Sequence, residues 1–365
     1  MLKEFVLESV RFQQQSCGNL HSRFYADLLE CALADCDPDV PFWNLLDAWP
    51  GNPLAALLPL RMLGALHDLV LSGRAADLAA HYPRPDVENS GDPRSAWTQL
   101  NAVIVRERAF IESRLDDEIQ TNEVRRCAAL LPGFLVINQR AQLPMNLAEL
   151  GASAGLNLCW DRYYYALGTA RWGDETSSLS LDTRWQGPLP PLSRIEVARR
   201  RGCDLSPLDI HNEADQRRLQ SFVWPDHFER MDLLRRAIDA AAGQQIEIER
   251  RSAGDFVDEV LSERRPGEVT VIYHSIMWLY VPEKEREHIS EAISAAGNQA
   301  TVESPLAWLR MEFVDGEKAA LWLDYWPDDR SEDHPEHRRE KLAHCHYHGT
   351  TIEWLSGDLG GGIWV

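Results

Sequence analysis

Positive charge is in short supply in this chain: 37 Lys and Arg face 57 Asp and Glu, a formal net charge of −20. Such a surface repels polyphosphate and anionic bilayers, which argues against nucleic acid and membrane as partners for the protein as a whole. Cysteine pairing is missing too. The seven cysteines (Cys17, Cys31, Cys36, Cys127, Cys159, Cys203 and Cys345) are odd in number and contain no Cys-x-x-Cys pair. They read as reduced thiols rather than as a disulfide framework. Long apolar runs are also absent. Residues 1–15 are interrupted by Lys3, Glu4, Glu8 and Arg11, so the apolar core of a secretion signal is lacking. No window approaches the length needed to span a bilayer. The expectation is a cytoplasmic protein, and no internal repeat or low-complexity tract complicates it.

What is present is ordinary globular material, 44% apolar and 26% charged over 365 residues, enough for two domains. Up to about Arg140 the periodicity is helical throughout. Phe5, Val6, Val10 and Phe12 open one helix, and Leu20, Phe24, Leu28 and Leu29 continue in a second. Asn52-Pro53 and Asp92-Pro93 pair a capping residue with a first-turn proline, ahead of apolar runs over 54–70 and 97–115. An all-α domain over residues 1–140 and an α/β domain over 141–365 are predicted.

The stretch 146–166, NLAELGASAGLNLCWDRYYYA, organises the second domain. An apolar strand ends near Glu149, a turn of small residues runs from Gly151 to Gly155, and an amphipathic helix is predicted to follow. A small-residue turn lets the backbone pass close to a ligand, and an open α/β sheet binds its ligands at such crossovers. Gly151-Ala-Ser153-Ala-Gly155 also has the spelling of a nucleophile elbow, with Ser153 as acyl acceptor. The absence of strands before residue 145 favours a sheet that begins here, because a hydrolase places several strands before its elbow.

Further strands are predicted at 195–205, ending on Asp204, at 246–248, at 269–275 (VTVIYHS), as a hairpin over 306–313 and 319–325 turning at Asp315-Gly316, and at 350–355. Residues 171–191 read as an irregular excursion or hairpin. The count is about seven strands, mostly parallel, with a terminal antiparallel hairpin. Asp204 is placed where a carboxylate accepts ribose hydroxyls, with Asp209 as second choice and, equally, a helix cap. Asp255 reads both as a ligand contact and as the N-cap of a helix over 256–264. His274, at a strand end, has the chemistry of a general base or of a satisfied strand-end histidine.

The series Glu149, Gly151, Ser153, Gly155 resembles the first motif of class I S-adenosylmethionine-dependent methyltransferases, with Ser153 where that family has its middle glycine. The acidic strand ends and the Gly254-Asp255-Phe256 turn resemble its later motifs. The resemblance implies a Rossmann-like methyltransferase sheet behind the all-α domain, and S-adenosylmethionine as cofactor. In that frame Glu149, Gly151, Ser153, Gly155 and Asn157 line the methionine part, Asp204 the ribose, and Asp255 with the Phe256 amide the adenine. His274 becomes the base for a small-molecule acceptor and Tyr280 its orienting group. The phrases ELGASAGLN, WDRY, GCDLSPLDI, VWPDHFER and YHSIMWLY are similar to those of bacterial domain-of-unknown-function family 2332, over most of the chain.

Two rival readings are an esterase using Ser153, Asp324 and a late histidine in hydrolase order, and a methyltransferase-like module without chemistry. His344, His346 and His348 alternate, so a strand would put them on one face. Such a face could bind a transition metal, but a solvated loop leading into a strand, beside Asp328, Asp329, Glu332, Asp333 and His334, explains the run without one, and no metal site is assigned.

Overall fold

A computed structural model describes residues 2–88, 90–316, 318–327 and 339–355. The chain opens with seven helices: α1 (Glu4–Asn19), α2 (Arg23–Ala34), α3 (Pro41–Asp47), α4 (Leu58–Leu71), α5 (Ala76–Ala79), α6 (Pro93–Arg106) and α7 (Arg108–Leu115). α8 (Arg126–Ala141) leads into strand β1 (Met145–Leu150). A 3-10 helix (Leu156–Arg162) and strands β2 (Tyr164–Leu167), β3 (Ala170–Gly173), β4 (Ser180–Gln186) and β5 (Val197–Asp204) follow. Then come α9 (Glu213–Ser221), α10 (Phe228–Ala241), β6 (Glu247–Arg250), α11 (Ala253–Ser262), β7 (Val269–Ser275) and α12 (Glu283–Gly297). The last described strands are β8 (Leu306–Asp315), β9 (Lys318–Trp326), β10 (Arg339–His346) and β11 (Thr351–Trp354). Among the described residues no helix is long and apolar enough to cross a membrane.

Two compact units result, one of residues 1–121 with 211–232, the other of residues 122–210 with 233–365. The helical region expected over 1–140 is therefore divided. α8 belongs with the sheet, and a helical segment from the second half of the chain joins the first unit. In that first unit Asp92 caps α6, accepting the amides of Arg94 and Ser95, as the Asp-Pro pair predicts. Asn52 accepts the amides of Leu54 and Ala55 in the same manner, but α4 starts only at Leu58. The helix expected over 97–115 is interrupted at Glu107.

The break after α9, at Trp224-Pro225, has a structural reason. It turns Asp226 back to accept the Ser22 hydroxyl at 2.6 Å and the Phe24 amide at 2.9 Å, so the start of α2 is capped from a distant part of the chain. A second long-range tie is ionic. Asp68, buried on α4, binds Arg114 of α7 and, at 3.0 Å, Arg217 of α9.

Among its described residues the second unit is built on one eleven-stranded sheet in the order β3-β2-β4-β11-β10-β9-β8-β7-β1-β5-β6. From β6 through β5, β1 and β7 to β8 the pairing is parallel, and from β8 through β9 and β10 to β11 it is antiparallel. The expectation of about seven strands is corrected to eleven, and the hairpin at Asp315-Gly316 is the link between the two halves. The additional strands are β2, from the end of the stretch read as an amphipathic helix, β3 and β4, from the segment read as an irregular excursion or hairpin, and β10, from the segment read as a loop. Burial alternates in β2 and β4 and is mixed in β10, so these strands lack the continuous apolar run that marks β7.

The expected amphipathic helix after the β1 turn is also corrected. All five residues from Leu156 to Trp160 are buried, which leaves no polar face. The Tyr163 and Tyr165 hydroxyls donate to the carbonyls of Leu156 and Trp160, both at 2.6 Å. These phenols occupy carbonyls that an α-helix would give to its own amides, and the chain turns into β2. On one face of the sheet, α11 and α12 cover Ala148 and Leu150 of β1, Ile272 of β7, and Leu306 and Trp308 of β8.

Candidate functional site

The chain leaves β1 toward β5 and β6 on one side and returns to β7 on the other, so strand order reverses between β1 and β7. Open parallel sheets bind ligands outside the carboxyl ends at such a point. Both strand ends here carry unusual backbone. Gly151 (φ 67°), Ser153 (φ 54°) and Gly155 (φ 73°) are left-handed after β1, and Ile276 (φ 50°) is left-handed after β7. For a β-branched residue such as Ile276 this conformation costs energy, and outliers of that kind cluster at functional sites. The two turns abut, since a Cβ on Gly151 would lie 3.2 Å from the Cβ of Met277.

The β1 turn is held from β5. The Ala152 amide donates to the Cys203 carbonyl at 2.9 Å, and the Ser153 amide to Asp204 Oδ2 at 2.9 Å. Asp204 Oδ1 accepts the Ser206 amide at 2.8 Å, and the Leu208 amide closes the loop onto the Ser153 carbonyl. Asp204 thus stands directly beneath Ser153. At the far end of the turn the Leu156 amide donates to Asn122 Oδ1 at 2.9 Å.

Glu149 and Tyr273 are register partners on β1 and β7, on the face away from α11 and α12. The Tyr273 hydroxyl lies 3.3 Å from both Glu149 Oε2 and the Asn157 carbonyl, and Asn157 Oδ1 accepts the Cys127 thiol at 3.2 Å. All four side chains are buried. Burial pushes the Glu149 carboxyl well above the usual carboxylate range. The charge of Asp204 adds to the rise, while Tyr273, Arg126 and Asn157 oppose it. Glu149 and Asn157 are therefore together, in a buried cluster with Tyr273 and Cys127.

His274 points to the opposite face, with Ile272. It is fully buried, and its Nδ1 lies 2.6 Å from Glu312 Oε1 of β8. Trp278 stacks on the imidazole with ring centroids 4.9 Å apart, inclined by 13°. Glu312 Oε1 also accepts the amides of Met277 and Trp278, at 3.2 and 3.3 Å. The Nε2 atom has no hydrogen-bond partner among the described residues. Next to His274 in register, Arg310 pairs with Asp324 and lies over the Trp308 ring at 4.0 Å. Burial pushes Arg310 down to about 10 and Asp324 upward, and the charge of each opposes the other's shift.

The remaining candidates are dispersed. Tyr280 is 69% exposed, and Glu312 holds the His274 ring instead. Phe256 is wholly buried beneath Arg201, and its amide is used by the Ser252 carbonyl. The cap of α11 is Ser252, so Asp255 stands exposed in the first turn rather than at the cap. Asn212, not Asp209, caps α9. Asp324, proposed for a hydrolase triad, is committed to Arg310 and Arg339. His344, His346 and His348 are all half-buried, and His346 Nδ1 accepts the His348 amide at 3.1 Å. Among the described residues no three His, Cys, Asp or Glu converge to hold a metal ion. Asp328, Asp329, Glu332, Asp333 and His334 lie outside the described residues.

Glu312 and Tyr273 were missed from sequence. A signal for Glu312 existed: Arg310 and Glu312 alternate within the otherwise apolar LAWLRMEF of β8. Charges on that period mark one face of a strand as something other than core.

Over residues 8–354 the sequence matches a family described as "Uncharacterized protein conserved in bacteria (DUF2332)", and the chain belongs to that family. Comparison with curated proteins and with solved structures returned no match.

Proposed function

With that membership as the premise, we propose that the protein is an S-adenosylmethionine-dependent methyltransferase acting on a small molecule. One observation carries the reading: an acidic strand end, Asp204, bonded to the left-handed Ser153 turn where the parallel order reverses. A carboxylate offers about four lone-pair positions, so main-chain amides and ribose hydroxyls can share it. Gly151, Ser153 and Gly155 present backbone to the methionine part, and Glu149 with Asn157 forms the buried floor behind them. Leu205, 71% exposed immediately beyond Asp204, supplies the apolar wall for the adenine that Phe256 cannot, with Asp255 farther out. A cationic sulfonium also suits a chain of net charge −20. Methyl transfer from a sulfonium requires alignment of the acceptor and exclusion of water more than covalent machinery.

Equilibrium dialysis against radiolabelled S-adenosylmethionine tests this. Retained label displaced by S-adenosylhomocysteine supports it, and no retention defeats it. The left-handed Ser153 is the one feature favouring a hydrolase, since nucleophile elbows carry their serine on a strained turn. Against that second reading, no strand precedes β1 among the described residues and Asp324 is ion-paired. Labelling by a fluorophosphonate that is lost in Ser153→Ala would establish the hydrolase.

A further inference from the structure

Between β4 and β5 the chain reads Pro188-Leu189-Pro190-Pro191-Leu192-Ser193-Arg194, and this stretch belongs to no helix or strand. Its composition dictates its backbone. The three proline rings hold φ at about −65°, and Leu189 and Pro190, which precede prolines, are driven to extended ψ. Together these constraints specify a polyproline II helix, with about three residues per turn and no hydrogen bonds of its own. Exposure follows that period. Pro190 is buried and Ser193, one turn on, is half-buried, so these two face inward. Leu189 and Leu192, on the next edge, are 43% and 46% exposed. On the third edge Pro188 and Arg194 are exposed, with Pro191 half-buried between them.

The inward side is pinned by side chains. The Trp185 indole N–H donates to the carbonyls of Gly187 and Pro188, at 3.2 and 3.1 Å, and the Trp172 indole N–H to the Ser193 carbonyl at 2.7 Å. Asn138 Nδ2 donates to Ser193 Oγ at 2.9 Å and to the Arg194 carbonyl at 3.2 Å. Both ends of the strap are therefore held while its outer edges stay open. A ligand fixed in its binding conformation beforehand pays less ordering entropy on association.

We propose that residues 188–194 are a docking segment for a partner protein that reads polyproline II ridges in a groove lined by aromatic rings and closed by an acidic side chain. Pro188-Leu189 and Pro191-Leu192 are the same dipeptide one turn apart, and their outer edges fill two successive slots between the rings. Arg194 stands one turn beyond Pro191 on the same edge, where a carboxylate of the partner accepts its guanidinium N–H groups. The charge at the end of the ridge sets the direction in which the segment lies in the groove, because an apolar ridge alone fits either way. None of these residues lies in the turns after β1 and β7, so docking is independent of methyl transfer.

The test titrates the full-length protein into two isotope-labelled probes, an SH3 domain with an acidic groove rim and a WW domain, and follows their amide resonances. Saturable shifts confined to the aromatic groove of either probe are expected. Leu189→Ser with Leu192→Ser should weaken that binding at least about tenfold. Both leucines are exposed, so the pair of substitutions keeps the fold, which an unchanged circular dichroism spectrum checks. Arg194→Glu should weaken the SH3 complex about threefold or more, with a difference that shrinks as salt is raised. Val302→Ser, at a leucine-sized exposed position elsewhere in the chain, should bind as the wild type does. No shifts from the folded wild type with either probe, or shifts that survive the double leucine substitution, overturn the proposal. So does self-association that the same two substitutions abolish, since the ridge would then belong to a second copy of this chain.

Discussion

The Tyr273 hydroxyl donates to Glu149 across adjacent parallel strands at 3.3 Å, and both side chains are shut away from solvent. A carboxyl raised by burial keeps its proton in the native state after the unfolded chain has lost its own. Stability therefore falls as pH rises from the ordinary carboxylate range toward the native value. Glu149→Gln removes the titration while keeping an acceptor for Tyr273. Denaturant midpoints should be similar for the two proteins at pH near ~4 and diverge in favour of the variant toward pH ~8. A gap that closes with rising pH would mean that Glu149 is held ionised.

Gly155 lies at φ 73°, and a Cβ there would come within 2.6 Å of Ile246 and 2.9 Å of Ile248. Gly155→Ala meets both a disfavoured conformation and side chains that must shift. A loss of about 1–3 kcal/mol in unfolding free energy is expected. An unchanged denaturant midpoint would show that the turn is held less tightly than described.

Asp68 is the shared partner of Arg114 and Arg217 inside the helical unit. Asp68→Ala removes the carboxylate that Arg217 binds and leaves Arg114 with Asp117 alone, at a cost of about 3 kcal/mol. Adding Arg114→Ala should return part of that loss, read as positive coupling in a double-mutant cycle. Simple additivity of the two single variants would contradict the shared ion pair.

The parallel core was legible in the sequence and the outer sheet was not. β7 is buried at every position and reads as VTVIYHS, and β5 ends on the Asp204 expected of it. β2, β3 and β4 show weak alternation instead, and they join the rest of the sheet only through the distant pairing of β4 with β11. The 3-10 helix after Gly155 depends on hydrogen bonds from Tyr163 and Tyr165, which no helical periodicity anticipates. Of the site, the turn residues and His274 could be named because glycine spacing and strand-end position carry local meaning. Glu312 was marked only by its alternation with Arg310, and its partner His274 emerges when β8 is laid beside β7.

The Ser153 turn, bonded to Asp204, is proposed to hold an adenosyl sulfonium. Titration calorimetry of S-adenosylmethionine into wild type and Asp204→Ala, with folding of each checked by circular dichroism, tests it most directly. The account predicts saturable binding by the wild type, weakened at least about tenfold in the variant, as expected when about 1.4 kcal/mol or more of carboxylate hydrogen bonding is lost. Equal affinity in the two proteins, or no heat of binding from the folded wild type, would contradict it.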